Sequence, residues 1–575
     1  MKEMIIGIDL GTTNSEVAAV VDGQPRIITD EQGRKLLPSV VGIDEAGKIL
    51  VGEPALNQWL LYPERTVRSV KRKMGSDEKI RLGDLEMTPQ EISAIILKTL
   101  KQWAERSLEQ QIHKAVITVP AYFNDAQRQA TREAGEIAGL EVVRILNEPT
   151  AAALAYETDL EHARKILVYD LGGGTFDVSV VQIQHGVVEV IASHGDNHLG
   201  GDDFDREIVE YLVEHLKEEH SVDVSEDRKA MARLLQAAVE AKLTLSDRPF
   251  AEIREEFIAE KDGVPVHLKL EISRDEYEAL ISPYIDRTID ALHIALSSAD
   301  LTSSDIEEVL LVGGATRTPL VQERLESELG QAPRAAIDPD LCVALGAAVQ
   351  AGMLAGETVR SVLVDITPYT FGTSFLGELE DGSIYPFVFA PIIKKNTPLP
   401  ASKSQVFYTM VDNQEKVEVR VYQGEDKDAE KNTLIGEFMV EGLRGAPAGD
   451  PIVVRFDLDL DGILKVTATE KATGLEKSIR IENAVGRMAK EEIASARERL
   501  GGMLGEEHTV QPEVFREAQA LMAKARQMRE DLGDEDRQEI DELLEALQQA
   551  IDAGDEEALS EPLESLRDIL YYLEH

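Results

Sequence analysis

An apolar strand that ends in Asp-Leu-Gly, turns through small residues and threonine, and returns as a second strand is written twice in this chain, at Ile5 to Val21 and at Ile166 to Ile183. The glycines let backbone amides converge on an anion without a side chain in the way, and the threonines add hydroxyl donors. Asp9 and Asp170, which end the two strands, would repel phosphate directly. Each is suited instead to holding a divalent cation through its water shell, as a triphosphate requires. Either copy alone reads equally well as a tight hairpin turn. Two matching copies imply a duplicated lobe, with the loops facing each other across a cleft and a nucleotide between them. A third element, Leu310 to Pro319, runs strand, Gly313-Gly314, then a helix start near Thr318-Pro319. Its glycines would admit a flat base or ribose, and Arg317 could stack on that base.

At 575 residues and 43% hydrophobic composition, the chain should divide into two to four domains with substantial cores. Sixty basic residues against 107 acidic ones give a net charge of −47, which argues against nucleic acid or an anionic membrane as partner. The N-terminus runs straight into a strand with no leader-like apolar region, and no stretch reaches the length of a membrane span. A cytoplasmic protein is expected. Cys342 is the only cysteine, so no intramolecular disulfide or cysteine metal cluster can form. Its surroundings, LCVALGAAVQAG, predict a packed helix with Cys342 as a small buried hydrophobe.

Up to about residue 358, short apolar strands alternate with helical stretches, the pattern of a two-lobed α/β domain. Val362, Leu363 and Val364, closed by Asp365, read on periodicity alone as the first strand of the next domain. From about 366 to 483 the period is two, with a hairpin turn at Asp461-Gly462. This predicts an all-β sandwich without helices, and its lack of an acid, base and nucleophile cluster makes it a binding module. After Ala489 the period becomes 3.6. Stripes at Val514, Ala518, Leu521, Ala525 and Met528, then Leu543, Leu544, Leu547 and Ile551 before Gly554, then Leu559, Leu563, Leu566 and Leu570 predict three short amphipathic helices in a bundle.

Four long strings, VITVPAYFNDAQRQATREAGEIAGLEVVRILNEPTAAALAY from Val116, DNHLGGDDFD from Asp196, SVLVDITP from Ser361 and SQVFYTMVDNQ from Ser404, carry a family resemblance. The chain resembles DnaK-type members of the seventy-kilodalton heat-shock chaperone family from Ile5 to about Arg499. The resemblance implies an actin- and hexokinase-like ATPase domain of duplicated lobes over 1–358, an interdomain linker over 359–367, a β-sandwich substrate domain over 368–484 and an α-helical lid over 485–575. It implies ATP and ADP as ligands, Mg2+ and K+ as cofactors, and extended apolar peptides of unfolded proteins as clients. A J-domain co-chaperone, received near Arg144, and a nucleotide exchange factor would be the partners. No membrane and no nucleic acid are implied.

Residue by residue, Gly11, Thr12, Thr13 and Asn14 resemble the first phosphate loop, and Gly172, Gly173 and Gly174 the second. Lys71 matches the family's catalytic lysine, with Glu148, Asp170 and Thr175 as the other catalytic positions. Asp9, Glu148, Asp170 and Asp177 match carboxylates that hold metal mostly through water. Gly201, Lys242, Ser246, Gly313, Gly314, Arg317 and Asp340 match the nucleoside side. Pro120, Arg128, Val362, Leu363 and Asp365 match an interdomain relay in which the linker docks on the nucleotide domain in the ATP state. Phe371, Thr373, Phe407, Val417 and Val419 match the peptide slot, with Leu376 and Met410 as the arch above it.

Departures from the family pattern are local. Val239 and Leu243 stand where a hydrogen-bonding Glu and a basic residue are usual, so one nucleoside contact should be missing. Thr373 makes the peptide slot more polar, a longer loop follows over 377–391, and Gly501, Gly502, Gly505 and Pro512 should interrupt the lid helix. The chain ends in YYLEH, without the acidic signal that tetratricopeptide partners bind. An ATP-driven peptide-binding chaperone is the reading these features favour. A regulatory ATPase sensing one client is its first alternative, and a sugar or acetate kinase of the same fold or a filament-forming relative leaves residues 366 to 575 without a role.

Overall fold

The computed structural model describes residues 3–156, 163–184, 186–334, 337–357, 362–378, 383–480 and 488–504, with scattered positions between 521 and 570. Two compact units emerge, Met1–Arg497 and Glu498–His575.

The duplication read from the sequence is present strand for strand. Ile5–Asp9 pairs in parallel with Lys114–Val119 and antiparallel with Asn14–Val21, which pairs with Gln24–Ile27. Arg164–Leu171 pairs in parallel with Glu308–Val312 and antiparallel with Phe176–Gln184, which pairs with Val187–Asp196. The two sheets differ at their edges. The first is extended by Glu141–Asn147 beside Lys114–Val119, and the second by Val362–Val364 in parallel beside Val187–Asp196. Val362–Val364 is therefore a strand, as its apolar run predicts, but it completes the sheet of the second hairpin instead of opening the β-rich region that follows.

Helices Glu148–Tyr156 and Cys342–Leu354 share one core with strand residues of both sheets, Ile5 and Val116 of the first and Ile166, Val168 and Val312 of the second. Cys342 is fully buried at the start of its helix. The helices approach so closely that a Cβ on Gly346 would fall 1.7 Å from the Ala151 carbonyl oxygen. Backbone cannot yield as a side-chain tip can. Gly346→Ala is expected to destabilise this region by about 1–3 kcal/mol through overpacking, visible as a lower first thermal transition. An unchanged transition would contradict the close approach.

Residues 366–480 form two four-stranded antiparallel sheets. One runs Ile384–Ile393, Phe371–Glu378, Gln414–Gln423, Thr433–Ala446, and the other Ala401–Tyr408, Pro451–Leu458, Leu464–Glu470, Glu476–Arg480. Alternating residues of both, among them Phe371, Val419, Val421, Val454, Phe456 and Val466, bury into one core. Two expectations need correction. Among the described residues a 3-10 turn, Ala429–Lys431, interrupts the helix-free pattern. The presumed loop over 377–391 is largely strand, because Ile384–Ile393, a run rich in β-branched and aromatic residues, pairs with Phe371–Glu378.

The helix Lys490–Met503 runs through Gly501 and Gly502, so these two glycines do not break it. Glycine keeps its backbone donor, and its penalty of about 1 kcal/mol per position is small enough to be absorbed. Gly505, Pro512, Val514, Ala518, Met528, Ile551, Gly554 and Leu559 lie outside the described residues. Of the predicted stripes, Ala525, Leu544, Leu547, Leu563, Leu566 and Leu570 bury together, with Met522 and Ile540 as members the periodicity did not single out.

Candidate active site

The two glycine-rich turns meet. A Cβ on Gly173 would lie 2.0 Å from the Thr13 hydroxyl oxygen, and one on Gly174 would lie 2.7 Å from Thr12 Cγ2, so the second turn needs glycine for the first to approach. Ser39 fixes the first turn by donating to the Gly11 carbonyl at 2.8 Å. The second is tied to the following helix Gly201–His220 through Gly201 N to the Gly172 carbonyl, 2.9 Å, and Asp202 N to the Gly173 carbonyl, 2.7 Å. Between the turns opens a cleft of about 800 Å³, whose walls include Gly11, Thr12, Thr13, Asn14, Gly172, Gly173 and Thr175.

At its floor Lys71, on the short 3-10 helix Val70–Lys73, is buried and pairs with Glu148 at 2.6 Å. A lysine buried to this degree is exceptional unless paired. Burial alone would lower its pKa, but Glu148, Asp9 and Asp170 outweigh burial and hold it above the usual value. Burial raises Glu148 to about 7 despite the opposing charge of Lys71. Asp9 accepts from the Thr118 hydroxyl at 2.8 Å and is raised by burial, as is Asp170, where the repulsion of Glu148 and Asp177 adds to the effect.

Sequence reasoning missed a fifth carboxylate. Glu16 faces Asp9 across the first hairpin as Asp177 faces Asp170 across the second. It is buried, lines the cleft, and its pKa is pushed well up by burial and by Asp9. The signal was available: each lies seven residues after the aspartate it opposes. Asp177 itself does not line the cleft. It sits behind Asp170 and accepts from the amides of Ala121 and Tyr122 at 3.1 and 3.2 Å.

So much buried negative charge against one lysine fits a cation. Among the described residues no three acidic or imidazole groups converge closely enough to ligate a metal directly.

Gly201, Lys242, Ser246, Gly313, Gly314, Arg317 and Asp340 line the other end of the cleft, with Val239 and Leu243. Lys242 is held by Asp205 at 2.7 Å and donates to the Gly201 carbonyl at 2.9 Å. Ser246 donates to the Lys242 carbonyl at 3.2 Å. Gly313 takes a φ of 81° against the Leu171 carbonyl, where only glycine fits comfortably. Arg317 pairs with Asp338 at 2.6 Å and Asp340 at 2.9 Å, which fixes its guanidinium at the rim. Leu243 is 60% exposed.

The relay positions form a continuous hydrogen-bonded path. Arg128 donates to the carbonyls of Ala121 and Phe123, each at 3.0 Å, and to Asn147 at 2.7 Å. Asn147 donates to buried Asp365 at 2.8 Å. Pro120 closes the turn that carries the two amides on Asp177, its carbonyl accepting from Phe123 N at 3.1 Å. Leu363 packs against the core shared by the two duplicated sheets. For Val362 the structure gives the backbone register, opposite Val187. Asp461, at the predicted hairpin turn, reaches Arg132 at 2.5 Å and the Ile145 amide at 3.0 Å, with Arg144 at 3.8 Å.

The peptide positions separate into two groups. Phe371 and Val419 lie in the core shared by the two β sheets, with Phe407 and Val417 partly buried against it. Phe371 is therefore a core residue of the two sheets, because its strand turns that face inward. Thr373 is buried too, its hydroxyl donating to the Arg420 carbonyl at 2.7 Å, so it adds less polarity than its residue type suggests. Leu376 and Met410 are exposed, joined by Phe375, Val406 and Tyr408, which sequence reasoning did not select.

A model of the Hsp70 protein family matches residues 5–82 and 78–574, well past the point near Arg499 where the resemblance in motifs ends. The chaperone proteins DnaK of Thermotoga neapolitana, Thermotoga petrophila and Thermotoga maritima are each 50% identical to this chain over 486 residues, 83% of this chain and 80% of theirs. With the family match spanning nearly its whole length and half of its residues identical to those relatives over most of it, the chain belongs to the Hsp70 family.

Proposed function

We propose that this chain, an ATP-dependent chaperone and ATPase of the Hsp70 family, binds and releases extended apolar peptide segments at residues 368–484 under control of nucleotide at residues 1–358. The lid would comprise residues 485–575 and the linker 359–367, joining an actin-like ATPase domain to a β-sandwich. The observation that carries this reading is the linker strand Val362–Val364, hydrogen-bonded into the sheet that contains the second phosphate hairpin. One sheet then senses nucleotide at one end and linker docking at its edge, which is the physical requirement for coupling two sites.

Lys71 would orient the attacking water and stabilise charge on the γ-phosphate, with Thr175 donating beside it. Glu148, Asp170 and Asp9 would hold Mg2+ through water, and Asp177 would act on a K+ ion from the second layer. When bound, Mg2+ supplies charge neutralisation to the phosphates. Unfolded polypeptides, a J-domain co-chaperone and an exchange factor are the partners we assign, in the cytoplasm. Among the described residues no helix is long and apolar enough to cross a membrane. Nothing in the comparisons supports the single-client alternative.

The test is release of a fluorescent apolar peptide from the full chain. ATP should accelerate dissociation relative to ADP, and equal rates would overturn the coupling. A peptide array should show binding to many unrelated apolar segments, and binding to one sequence alone would favour a dedicated sensor.

Val239→Glu tests the nucleoside end. Val239 is half-buried at the cleft wall, so a carboxylate there keeps part of its hydration. It is expected to tighten ADP binding by about 1.5–3 kcal/mol through one charge-assisted hydrogen bond and to slow ADP release. Calorimetric titration decides it. Unchanged or weaker affinity in a folded variant would mean that the contact is supplied elsewhere.

A further inference from the structure

A second cavity, of about 580 Å³, adjoins the nucleotide cleft. Its walls come from both halves of the duplicated fold: Trp59, Pro63, Arg68 and Arg72 from the first, and residues of the helices Gly201–His220 and Arg228–Asp247 from the second. The size lies within the range of small-molecule sites. The second half contributes Val209, Met231, Ala232 and Leu235 as an apolar wall.

Its charge runs against that of the chain. Four arginines, Arg68, Arg72, Arg206 and Arg228, line it against two aspartates, Asp202 and Asp205, in a protein of net charge −47. The aspartates have partners of their own, Asp205 in Lys242 at 2.7 Å and Asp202 in the Ser69 hydroxyl at 2.6 Å, and act on Arg68 as nearby charges. Arg72 and Arg206 share Asp203, at 2.6 and 3.0 Å. Arg68 is different. Its guanidinium lies over the Trp59 ring, 4.5 Å from the centroid, and its buried Nη1 has no hydrogen-bond partner among the described residues. A buried donor on a cation is costly to leave unpaired.

We propose that this cavity is a second ligand site, which takes a monoanionic organic acid with its carboxylate on Arg68 and its apolar body against Trp59 and the Val209–Leu235 wall. One buried donor without a partner matches a single carboxylate, and the apolar wall matches a body that inorganic ions lack. Because the walls come from both halves of the fold, the occupant bridges them. Binding therefore opposes separation of the halves and slows nucleotide release, through a site distinct from the peptide-binding region.

The full chain contains two tryptophans, Trp59 and Trp103, so a Trp103→Phe variant leaves Trp59 as the sole reporter in the cavity. Octanoate is the probe, octan-1-ol its uncharged counterpart and acetate its bodiless one. Octanoate should change Trp59 emission saturably and bind unmodified protein in calorimetry, with octanol and acetate at least about tenfold weaker, as one charge-assisted hydrogen bond or an apolar body dictates. Arg68→Leu should weaken octanoate by about tenfold or more. Met231→Glu, at a half-exposed position outside the nucleotide cleft, should do the same by placing a like charge in the wall. Bound octanoate should slow ADP release. Octanol binding as tightly as octanoate, octanoate affinity unchanged in both folded variants, or octanoate displacing ADP would each overturn the proposal.

Discussion

Replacing Lys71 with alanine is expected to slow single-turnover ATP hydrolysis by about 10²–10³-fold or more, the loss measured for one donor aimed at developing charge, while ATP still binds. The Lys71 ammonium is held 2.6 Å from Glu148, and both groups are buried. Its position is fixed before reaction, so no reorganisation is needed when charge develops on the phosphate. Removing one member of a buried pair usually costs about 3–5 kcal/mol, because the other charge is stranded. Here Glu148, already raised to about 7 by burial, has an alternative: without the lysine its pKa rises further and it takes up a proton, so the variant folds. Lys71→Met keeps the chain volume and should lose hydrolysis equally, which separates loss of charge from loss of packing. Calorimetry for ATP affinity and a quenched single-turnover assay check the result. Hydrolysis within a few-fold of the parent would refute the role.

Local grammar was legible where one short segment carries the whole message. The two Asp-Leu-Gly hairpins and the Gly313-Gly314 turn need glycine for close approach, and the sequence shows glycine there. Glu16 escaped because a strand glutamate is ordinary until its partner across the hairpin is known, although the seven-residue offset shared with Asp177 would have exposed it. In the sequence Asp461 is only a turn residue. Its own turn uses Asp459 as the acceptor for Asp461 N and Ile463 N, which frees the Asp461 carboxylate to reach Arg132 and Ile145, a contact no local pattern encodes. The strand Ile384–Ile393 is hard to tell from a loop in the sequence because its two prolines, Pro386 and Pro391, and its unbroken apolar run hide any period of two. Phe371 and Thr373 show a further limit: residue type indicated an apolar slot, but which face of the strand points inward was settled by register with Gln414–Gln423. The contact of Arg68 with Trp59 joins a helix end to a short strand, which no local pattern encodes.

Leu363→Asp is expected to abolish peptide stimulation of the ATPase while basal hydrolysis persists. Leu363 sits opposite Val188 in the edge pairing of the second nucleotide-side sheet and packs on the core formed by Ile166, Val168 and their neighbours. A carboxylate placed against that core must either lose its hydration or leave, and leaving is the cheaper course because the strand is a three-residue edge element. Undocking removes Asp365 from Asn147, and with it the path through Arg128 to the Ala121 and Tyr122 amides on Asp177. Lys71, Glu148 and the phosphate turns are untouched, so intrinsic hydrolysis should stay within about threefold of the parent. Coupling free energies of this kind are typically about 1–3 kcal/mol, or about 5–150-fold, so stimulation should fall to at most about 1.5-fold at saturating peptide. Leu363→Ile, which keeps the apolar contact, should retain it. Steady-state ATPase with and without peptide, alongside peptide affinity in ADP, makes the comparison. Stimulation preserved in Leu363→Asp would mean that the strand pairs with the sheet without transmitting anything through it.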